Sequence, residues 1–552
     1  MSWWQGSVGY EIYVRSFADS DGDGMGDLPG VRERLPYLAD LGVDLVWITP
    51  FYPSPQADHG YDVSDYLGVE PTYGTVDDVT ALVERAHELG LRVVVDLVPN
   101  HSSSEHPWFR DALRGRDATH RDFYVWRDPA PDGGPPNNWV SNFGGPAWTL
   151  DEASGQYYMH LFLPEQPDLN WASDEVRAAF VDILDTWFAR GVDGIRIDVA
   201  HSLVEDQQFR DNPVIVELGD DATPGERFKS FDHRYDQDQD GVLDVYREWH
   251  QVAARHDAML LGEVYLLETD RLRRYVEGRD GLHLAFAFAT LHAAWDAKEI
   301  RTTLGELVDA AGEHFAWPLG SHDDPRAASR FGGGERGAKR ARAYLTLLCG
   351  LPGVPFLYQG DELGLDDGEL ADDTAQDPVA VRNPGAPGRD PVRTPMLWEP
   401  GDGFGFTTGT PWLPFGDNRG PQHTVASQQG VPGSPLERTR ELLRVRRSLG
   451  VLAQDANWTW LDGASDVVAI RRNDADQPSD GADQPSDGAD QPTGGADVVV
   501  AVHVGGDDAD DVREVPLPAP GRLVYASDDG ARVEGDTLFL PADVAAFVEL
   551  AP

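Results

Sequence analysis

The feature that most limits what this chain can fold into is an alternation. Short apolar, β-branched runs and helical patterns of apolar spacing follow one another through most of its length. Strand patterns lie at 10–17, 43–49, 91–95, 192–199, 258–262, 282–288, 315–319 and 354–358. Helical patterns lie at 31–41, 76–89, 174–190, 244–254, 268–277, 337–348 and 436–447. A strand followed by a helix and another strand makes a parallel pair with a crossover, so the sheet is predicted to be parallel. Eight such strands close most economically into a (β/α)₈ barrel, an α/β fold.

The rhythm fails twice. Residues 102–171 are rich in Trp, Pro, Gly, Asn and Asp, with a short strand at best near 157–163, and are predicted to form a small inserted domain after the third strand, over the strand ends. From residue 457 onward strand patterns dominate (467–471, 498–504, 522–526, 537–540, 545–550), which predicts a separate C-terminal antiparallel β-domain. The expected organisation is a barrel from 1–101 and 172–450, the insertion at 102–171, and the β-domain at 451–552. Inside the last lies a seven-residue repeat in three copies, ADQPSDG, ADQPSDG, ADQPTGG, over 475–495. Such an acidic Pro/Gly/Ser tract buries little apolar surface, so a disordered loop is expected at about 474–497.

Composition excludes some partners. The formal charge of −50 argues against nucleic acid and against anionic membranes. The only lysines are Lys229, Lys298 and Lys339 among 45 basic residues, a balance that suits either a salt-rich environment or an arginine-biased coding sequence. Cys349 is the single cysteine and lies in an apolar run, so no intrachain disulfide forms and a buried, inert thiol is expected. The first residues carry no basic stretch followed by an apolar one, and no run of ~18 apolar residues occurs, which predicts a soluble, cytoplasmic protein. Nothing in the sequence assigns an oligomeric state.

Polar residues gather where a barrel keeps its chemistry, at the carboxyl ends of the strands. These are Asp96 and His101, then Arg196, Asp198 and His201, then Glu263, then His322 and Asp323. Arg196 and Asp198 are two apart, so on a strand they share a face. A guanidinium beside a carboxylate should lower its pKa and keep it ionised, which suits either a nucleophile or a buried structural ion pair. Glu263 follows the apolar run 259–262, where partial burial would raise its pKa and fit it to donate a proton. Two carboxyl groups are what hydrolysis of a glycosidic bond requires. The 16 tryptophans suit stacking on the apolar faces of sugars, or ordinary core packing.

Residues 19–27 read Asp19-Ser20-Asp21-Gly22-Asp23-Gly24-Met25-Gly26-Asp27, the pattern of an oxygen-ligand calcium loop. Asp19, Asp21, Asp23 and Asp27 offer carboxylates and Met25 a carbonyl. Gly30 stands where an EF-hand carries its closing glutamate, so a lone structural Ca²⁺ loop is predicted, with a solvated acidic turn as the alternative. A second acidic cluster, Asp236, Asp238, Asp240 and Asp244, also matches the calcium pattern but runs straight into a helical pattern, whose N-terminal dipole is the preferred explanation.

With these residues in hand, the sequence resembles the α-amylase family of retaining glycoside hydrolases over nearly its whole length. The motifs are DLVPNH (96–101), QPDLN (166–170), GIRIDVAH (194–201), GEVY (262–265) and SHDDPR (321–326). The resemblance implies Asp198 as nucleophile, Glu263 as acid/base and Asp323 as the third carboxylate, which holds sugar hydroxyls. It also implies a subsite around the reacting sugar lined by His101, Arg196 and His322, closed by Asp58 and Tyr61, with a further arginine from the loop at 388–398, Arg389 first and Arg393 second. Within the family, YEIYVRSF, the acidic loop, QPDLN and RTPMLW look like the α-glucosidase and oligo-1,6-glucosidase branch, which implies calcium and a dead-end pocket for single glucose units. Val199 after the nucleophile points to α-1,6 linkages. The surroundings of Phe143, Phe162 and Gln166 look like enzymes that cut short α-1,4 substrates. Ser321 departs from the asparagine usual before the histidine. The expected function is therefore an exo-acting α-glucosidase on maltose-type or isomaltose-type substrates, by double displacement with carboxyls about 5–5.5 Å apart. The alternative is a glucosyl transferase or a trehalose- or sucrose-isomerising enzyme on the same scaffold. A partner subunit without activity would have lost these carboxylates.

Overall fold

Eight parallel strands close a barrel in the computed structural model, which describes residues 2–219, 222–278, 280–382, 388–453, 456–473, 497–506 and 511–551. They are β1 (Gly9–Ile12), β2 (Leu45–Ile48), β3 (Arg92–Leu97), β4 (Gly194–Ile197), β5 (Met259–Gly262), β6 (Leu284–Phe286), β7 (Phe315–Pro318) and β8 (Val354–Tyr358). Each pairs with its sequence neighbours, and β8 returns to β1, so no edge is left open.

The interior is a packed layer of alternate strand residues. Leu45, Trp47, Val94, Met259, Leu261, Leu284, Phe286, Ala316, Val354 and Phe356 form one buried cluster, with Trp4 among them. Gly9 belongs to this layer because Phe356 fills the space beside it: a Cβ there would lie 2.3 Å from the Phe356 ring. The outward-facing residues of the same strands pack under the helices in a second, larger core.

Helices begin with local caps. Thr75 and Asp78 form a reciprocal capping box ahead of Val76–Glu88, and Ser173 caps Asp174–Ala189 through the Val176 amide. The helix at Ala297–Ala311 has no counterpart in the sequence reading, although Asp296 caps it and Ile300, Leu304, Leu307 and Val308 form its buried stripe. The first strand is shorter than the expected 10–17. After Ile12 the Tyr13 amide turns to the Gln359 side chain and the Val14 amide to Thr49 Oγ1, and a 3₁₀ turn (Val14–Ser16) follows.

Between β3 and β4 the insertion forms a three-stranded antiparallel sheet of Trp126–Arg127, Gln156–Met159 and Trp148–Asp151. It has its own small core of Val125, Trp139, Ala147, Trp148, Met159 and Leu161. The strand expected at 157–163 stops at Met159; Leu163 lies in a turn closed by the Gln166 side chain. The C-terminal part is two antiparallel sheets. One has five strands, in the order Asn457–Leu461, Val467–Asn473, Val498–His503, Val544–Leu550, Gly521–Ala526. The other has three, Val512–Pro516, Thr537–Pro541, Arg532–Glu534. The repeat at 475–495 lies outside the described residues. Among the described residues no helix is long and apolar enough to cross a membrane. Cys349 is buried, which pushes its thiol up to about 12.

Candidate active site

The period of two that fills the barrel also builds the site. On β4, Gly194 and Arg196 point inward, and Asp198 continues the same face just past the strand end. On β3 the inward row runs from Val94 to Asp96, on β2 from Leu45 to Trp47, on β5 from Met259 and Leu261 to Glu263, and on β1 from Gly9 to Glu11. Apolar side chains fill the lower layers and charged ones crown them.

Arg196 is the hub. Its Nη1 donates to Asp198 Oδ1 at 2.7 Å and to both Asp96 oxygens at 3.0 and 3.1 Å, and its Nη2 donates to Glu263 Oε2 at 2.7 Å. Its guanidinium lies 4.7 Å from the centre of the Trp47 ring. Glu263 also accepts from the Val199 amide at 2.9 Å. Two carboxylates that the sequence assigns to one reaction are thus held by one planar fork. Val199 sits between them with φ +44°, a strained conformation for a β-branched residue.

The electrostatics correct one expectation. Arg196 was predicted to lower the Asp198 pKa. In the structure burial and the nearby Glu263 charge raise it well above the usual carboxylate range, and Arg196 offsets only part of that. Burial is the larger cause, and the single cation is shared among Asp96, Asp198 and Glu263. Asp96 is likewise pushed up to about 7 by burial, against Arg196.

The remaining predicted residues close a ring around this hub. Tyr61 Oη lies 2.9 Å from His322 Nε2 and 3.4 Å from Asp96 Oδ2. His322 is sandwiched between Tyr61 and Tyr13, with ring centres 5.6 and 5.4 Å away. Its Nε2 is 3.3 Å from Asp323. Asp323 accepts from Arg393 at 2.7 Å and Arg389 at 3.2 Å. Burial would raise the Asp323 pKa, but His322 and these two arginines override it and hold it well below the usual range. Arg389 reaches on to Asp58 at 2.9 Å, and Asp58 accepts from Gln166 at 3.2 Å. Gln166 Nε2 is 2.9 Å from His101 Nε2, and burial pushes His101 down to about 3, so it is neutral at pH 7. The His101 ring meets Phe162, Phe162 meets Phe143, and Arg389 lies over Phe143. Both arginines offered by the sequence therefore reach the site. Arg389 bridges Asp58 and Asp323, while Arg393, fully buried, grips Asp323 and the His322 carbonyl. His201 stays behind the site, its Nδ1 accepting from the Tyr265 amide at 3.4 Å.

Three functional side chains escaped the sequence reading. Glu11, on β1, holds His322 Nδ1 at 2.5 Å. Asp377, fully buried, accepts from the Arg389 side chain and amide; burial opposes its ionisation, but Arg389 brings it down to about 2. Asp324 lines the pocket beside Tyr265, Phe286 and Phe288. The Glu11 signal was available, since it is a charged residue inside an otherwise apolar strand.

The acidic loop is also assembled. The carboxylates of Asp19, Asp21 and Asp23 bring ligand oxygens within 4.8 Å of one another. Asp19 accepts from the Gly22 and Gly24 amides, both glycines having positive φ. Met25 donates its amide to Asp23 at 2.7 Å. Asp27 caps the helix Leu28–Leu41 through the Gly30 amide and accepts from Ser20 with its other oxygen. The second acidic cluster is committed to side-chain partners: Asp238 to Arg271 and the Tyr275 hydroxyl, Asp240 to Arg274, Asp244 to Arg247, and Asp236 to His233.

Comparison with known proteins agrees with this geometry. The family described as "Alpha amylase, catalytic domain" matches residues 11–455. A probable alpha-glucosidase of Rhizobium meliloti (strain 1021) is 40% identical over 462 residues, 82% of this chain and 84% of that protein. An oligo-1,6-glucosidase of Heyndrickxia coagulans is 36% identical over 493 residues, 81% of this chain and 86% of that protein. Among solved structures, the alpha-glucosyl transfer enzyme XgtA superposes with a TM-score of 0.90 at 36% identity, covering 100% of both chains.

Proposed function

The chain belongs to the α-amylase family of glycoside hydrolases, and on that premise we propose that it is an exo-acting α-glucosidase releasing glucose from the non-reducing end of short α-glucosides. One observation carries the reading: the Arg389–Asp58 contact at 2.9 Å, with the guanidinium over Phe143, closes the ring of polar residues around the site. A site closed by this bridge would admit a terminal glucosyl unit and stop a longer chain from running through.

In this reading Asp198 attacks the anomeric carbon while Glu263 protonates the departing oxygen, giving a glucosyl ester on Asp198. Glu263 then takes a proton from water, which attacks the same carbon and frees the aspartate, with net retention. Asp323, His322 and His101 receive the hydroxyls of the bound sugar. The names of the relatives, an alpha-glucosidase and an oligo-1,6-glucosidase, support hydrolysis of α-glucosides, with 1,6 bonds among them.

The deciding experiment is glucose release from maltose and isomaltose side by side, with the anomer of the first product read by NMR. α-Glucose is expected first, and β-glucose would overturn the retaining mechanism. Asp198→Asn is expected to lose ~10⁴-fold or more in kcat; near-normal activity would remove Asp198 from the nucleophile's role. The likeness to an alpha-glucosyl transfer enzyme favours a second reading, in which a sugar hydroxyl replaces water in the second step. Oligosaccharides exceeding free glucose at high maltose concentration would select it.

We also propose Ca²⁺ as a structural ion on the first loop. Its three convergent carboxylates are hard oxygen donors of the kind the ion takes. Asp19, Asp21 and Asp23 would hold it, with the Met25 carbonyl and Asp27 completing the set. A metal that binds only the folded chain stabilises it, so a chelator should lower the melting temperature and calcium restore it.

A further inference from the structure

We propose that the C-terminal β-domain carries a second metal site, for a zinc-class divalent cation, formed by Asp466, His503 and Asp511. The three residues come from separate places. Asp466 immediately precedes the strand Val467–Asn473, and His503 ends the antiparallel strand Val498–His503, paired with Val467. Asp511 immediately precedes Val512–Pro516 in the other sheet. Their ligand atoms all fall within 4.8 Å of one another, with His503 Nε2 3.7 Å from Asp466 Oδ2 and 3.8 Å from Asp511 Oδ2.

Proximity of acids alone would not make a site. The histidine does. His503 is fully buried, and its Nε2 has no hydrogen-bond partner; Asp466 Oδ1 is a second buried atom without one. The two His503–carboxylate separations are too long for hydrogen bonds. They are close to the spacing between ligands around a tetrahedral ion, about 3.3–3.6 Å for bonds of 2.0–2.2 Å. The other ring nitrogen is already committed: Nδ1 lies 3.1 Å from the Leu540 carbonyl, which can only accept. That fixes the tautomer with a proton on Nδ1 and leaves the Nε2 lone pair facing the two carboxylates, the arrangement that metal-binding histidines share. Nε2 thus has no donor to accept from, and a cation held by the nitrogen and both carboxylates would supply the missing partner.

The donor set selects the ion. An imidazole with two carboxylates suits zinc and its neighbours, whereas calcium and magnesium take oxygen alone. The ion would clip the two sheets together, since His503 leaves the five-stranded sheet while Asp511 and the Leu540 carbonyl belong to the three-stranded side. Arg513 now bridges both carboxylates, donating to Asp466 at 2.8 Å and also contacting Asp511. It competes with the metal for Asp466 Oδ2, and this gives the proposal a directional test.

The test is a calorimetric titration of the full-length, chelator-stripped chain with Zn²⁺, in buffer containing Ca²⁺ so that the first acidic loop is filled. One equivalent is expected to bind and to raise the melting temperature. Binding should weaken at least about tenfold in Asp511→Asn and in His503→Gln, the lower end of what losing even an outer partner costs a metal site. In Arg513→Gln it should tighten. Asp511→Asn alters a partly exposed residue, so the test survives if His503→Gln misfolds. Cobalt as a coloured stand-in should give tetrahedral d–d bands that Asp511→Asn abolishes. No binding by the unaltered chain, or binding unchanged by both Asp511→Asn and Arg513→Gln, overturns the site.

Discussion

Arg389 shows how much one side chain can decide. Its fork meets Asp58, Asp323 and Asp377 together, at 2.9, 3.2 and 2.8 Å. A lysine carries the charge but is a single point and cannot span three carboxylates. Losing one charge-assisted hydrogen bond costs about 1.5–3 kcal/mol, about 10- to 100-fold. Arg389→Lys is therefore expected to raise KM for maltose by that factor, and steady-state kinetics with an unchanged KM would detach the arginine from the pocket. Asp324 makes a different prediction. Burial and the Asp323 charge raise its pKa to about 6, against 3.8 in the unfolded chain. The stability from its neutral form is complete below pH 3.8 and is lost as pH rises through about 6. Asp324→Asn, neutral at every pH, should melt with the parent near pH 4 and a few degrees above it at pH 8. Calorimetry at the two pH values would show this, and equal shifts at both would rule it out. Arg196 and Asp198 were legible in sequence because a two-residue period on a strand puts them on one face. What the sequence could not show is how many acids share the guanidinium. Asp96 and Glu263 arrive from 100 and 67 positions away, and burial, together with the Glu263 charge, reverses the expected direction of the Asp198 shift.

At the scale of elements, the barrel was readable because its eight strands are buried on both faces and so appear as apolar runs. Their ends were less readable, since a strand stops where tertiary partners claim the next amide, as Gln359 and Thr49 do after Ile12. The helix Ala297–Ala311 was overlooked although its stripe is regular. Thr302, Thr303 and Gly305 interrupt its propensity, and burial against the barrel forms it regardless. The insertion was legible as a change in composition but not as a sheet, because Trp126–Arg127 and its neighbours are too short to carry a period. Gly9 tests the packing logic of the barrel. A methyl group there would enter the Phe356 ring, and overpacking of this kind typically costs about 1–3 kcal/mol. Gly9→Ala should lower the melting temperature, and Phe356→Leu in the same chain should recover part of the loss. A Gly9→Ala variant that melts with the parent would show that the ring can move aside freely.

On the scale of the whole molecule, charge is the unbalanced quantity. Acids exceed bases by 95 to 45, the −50 of the formal balance. Several arginines are spent inside: Arg446 donates to the Gly6 and Cys349 carbonyls, and Arg472 to Gly350, tying the helix Gly334–Gly350 to the helix Pro435–Ser448 and the strand Val467–Asn473. Arg336 and Arg340 pair with Asp543 across the same junction. Cations used on carbonyls cannot neutralise acids, so the surface is left more negative than the composition alone implies. Self-repulsion grows with the square of the net charge and acts over the Debye length, about 30 Å at 0.01 M salt but about 3 Å at 1 M. Salt also weakens the exposed ion pairs, but each of those is worth only about 0–1 kcal/mol. The collective term should win, and the melting temperature should rise steadily with sodium chloride from about 0.01 to 1 M. Sucrose at matched osmolality, which does not screen charge, separates this from general exclusion effects. A melting temperature that stays flat in salt, or that rises equally in sucrose, would mean that the charge excess has no bearing on stability.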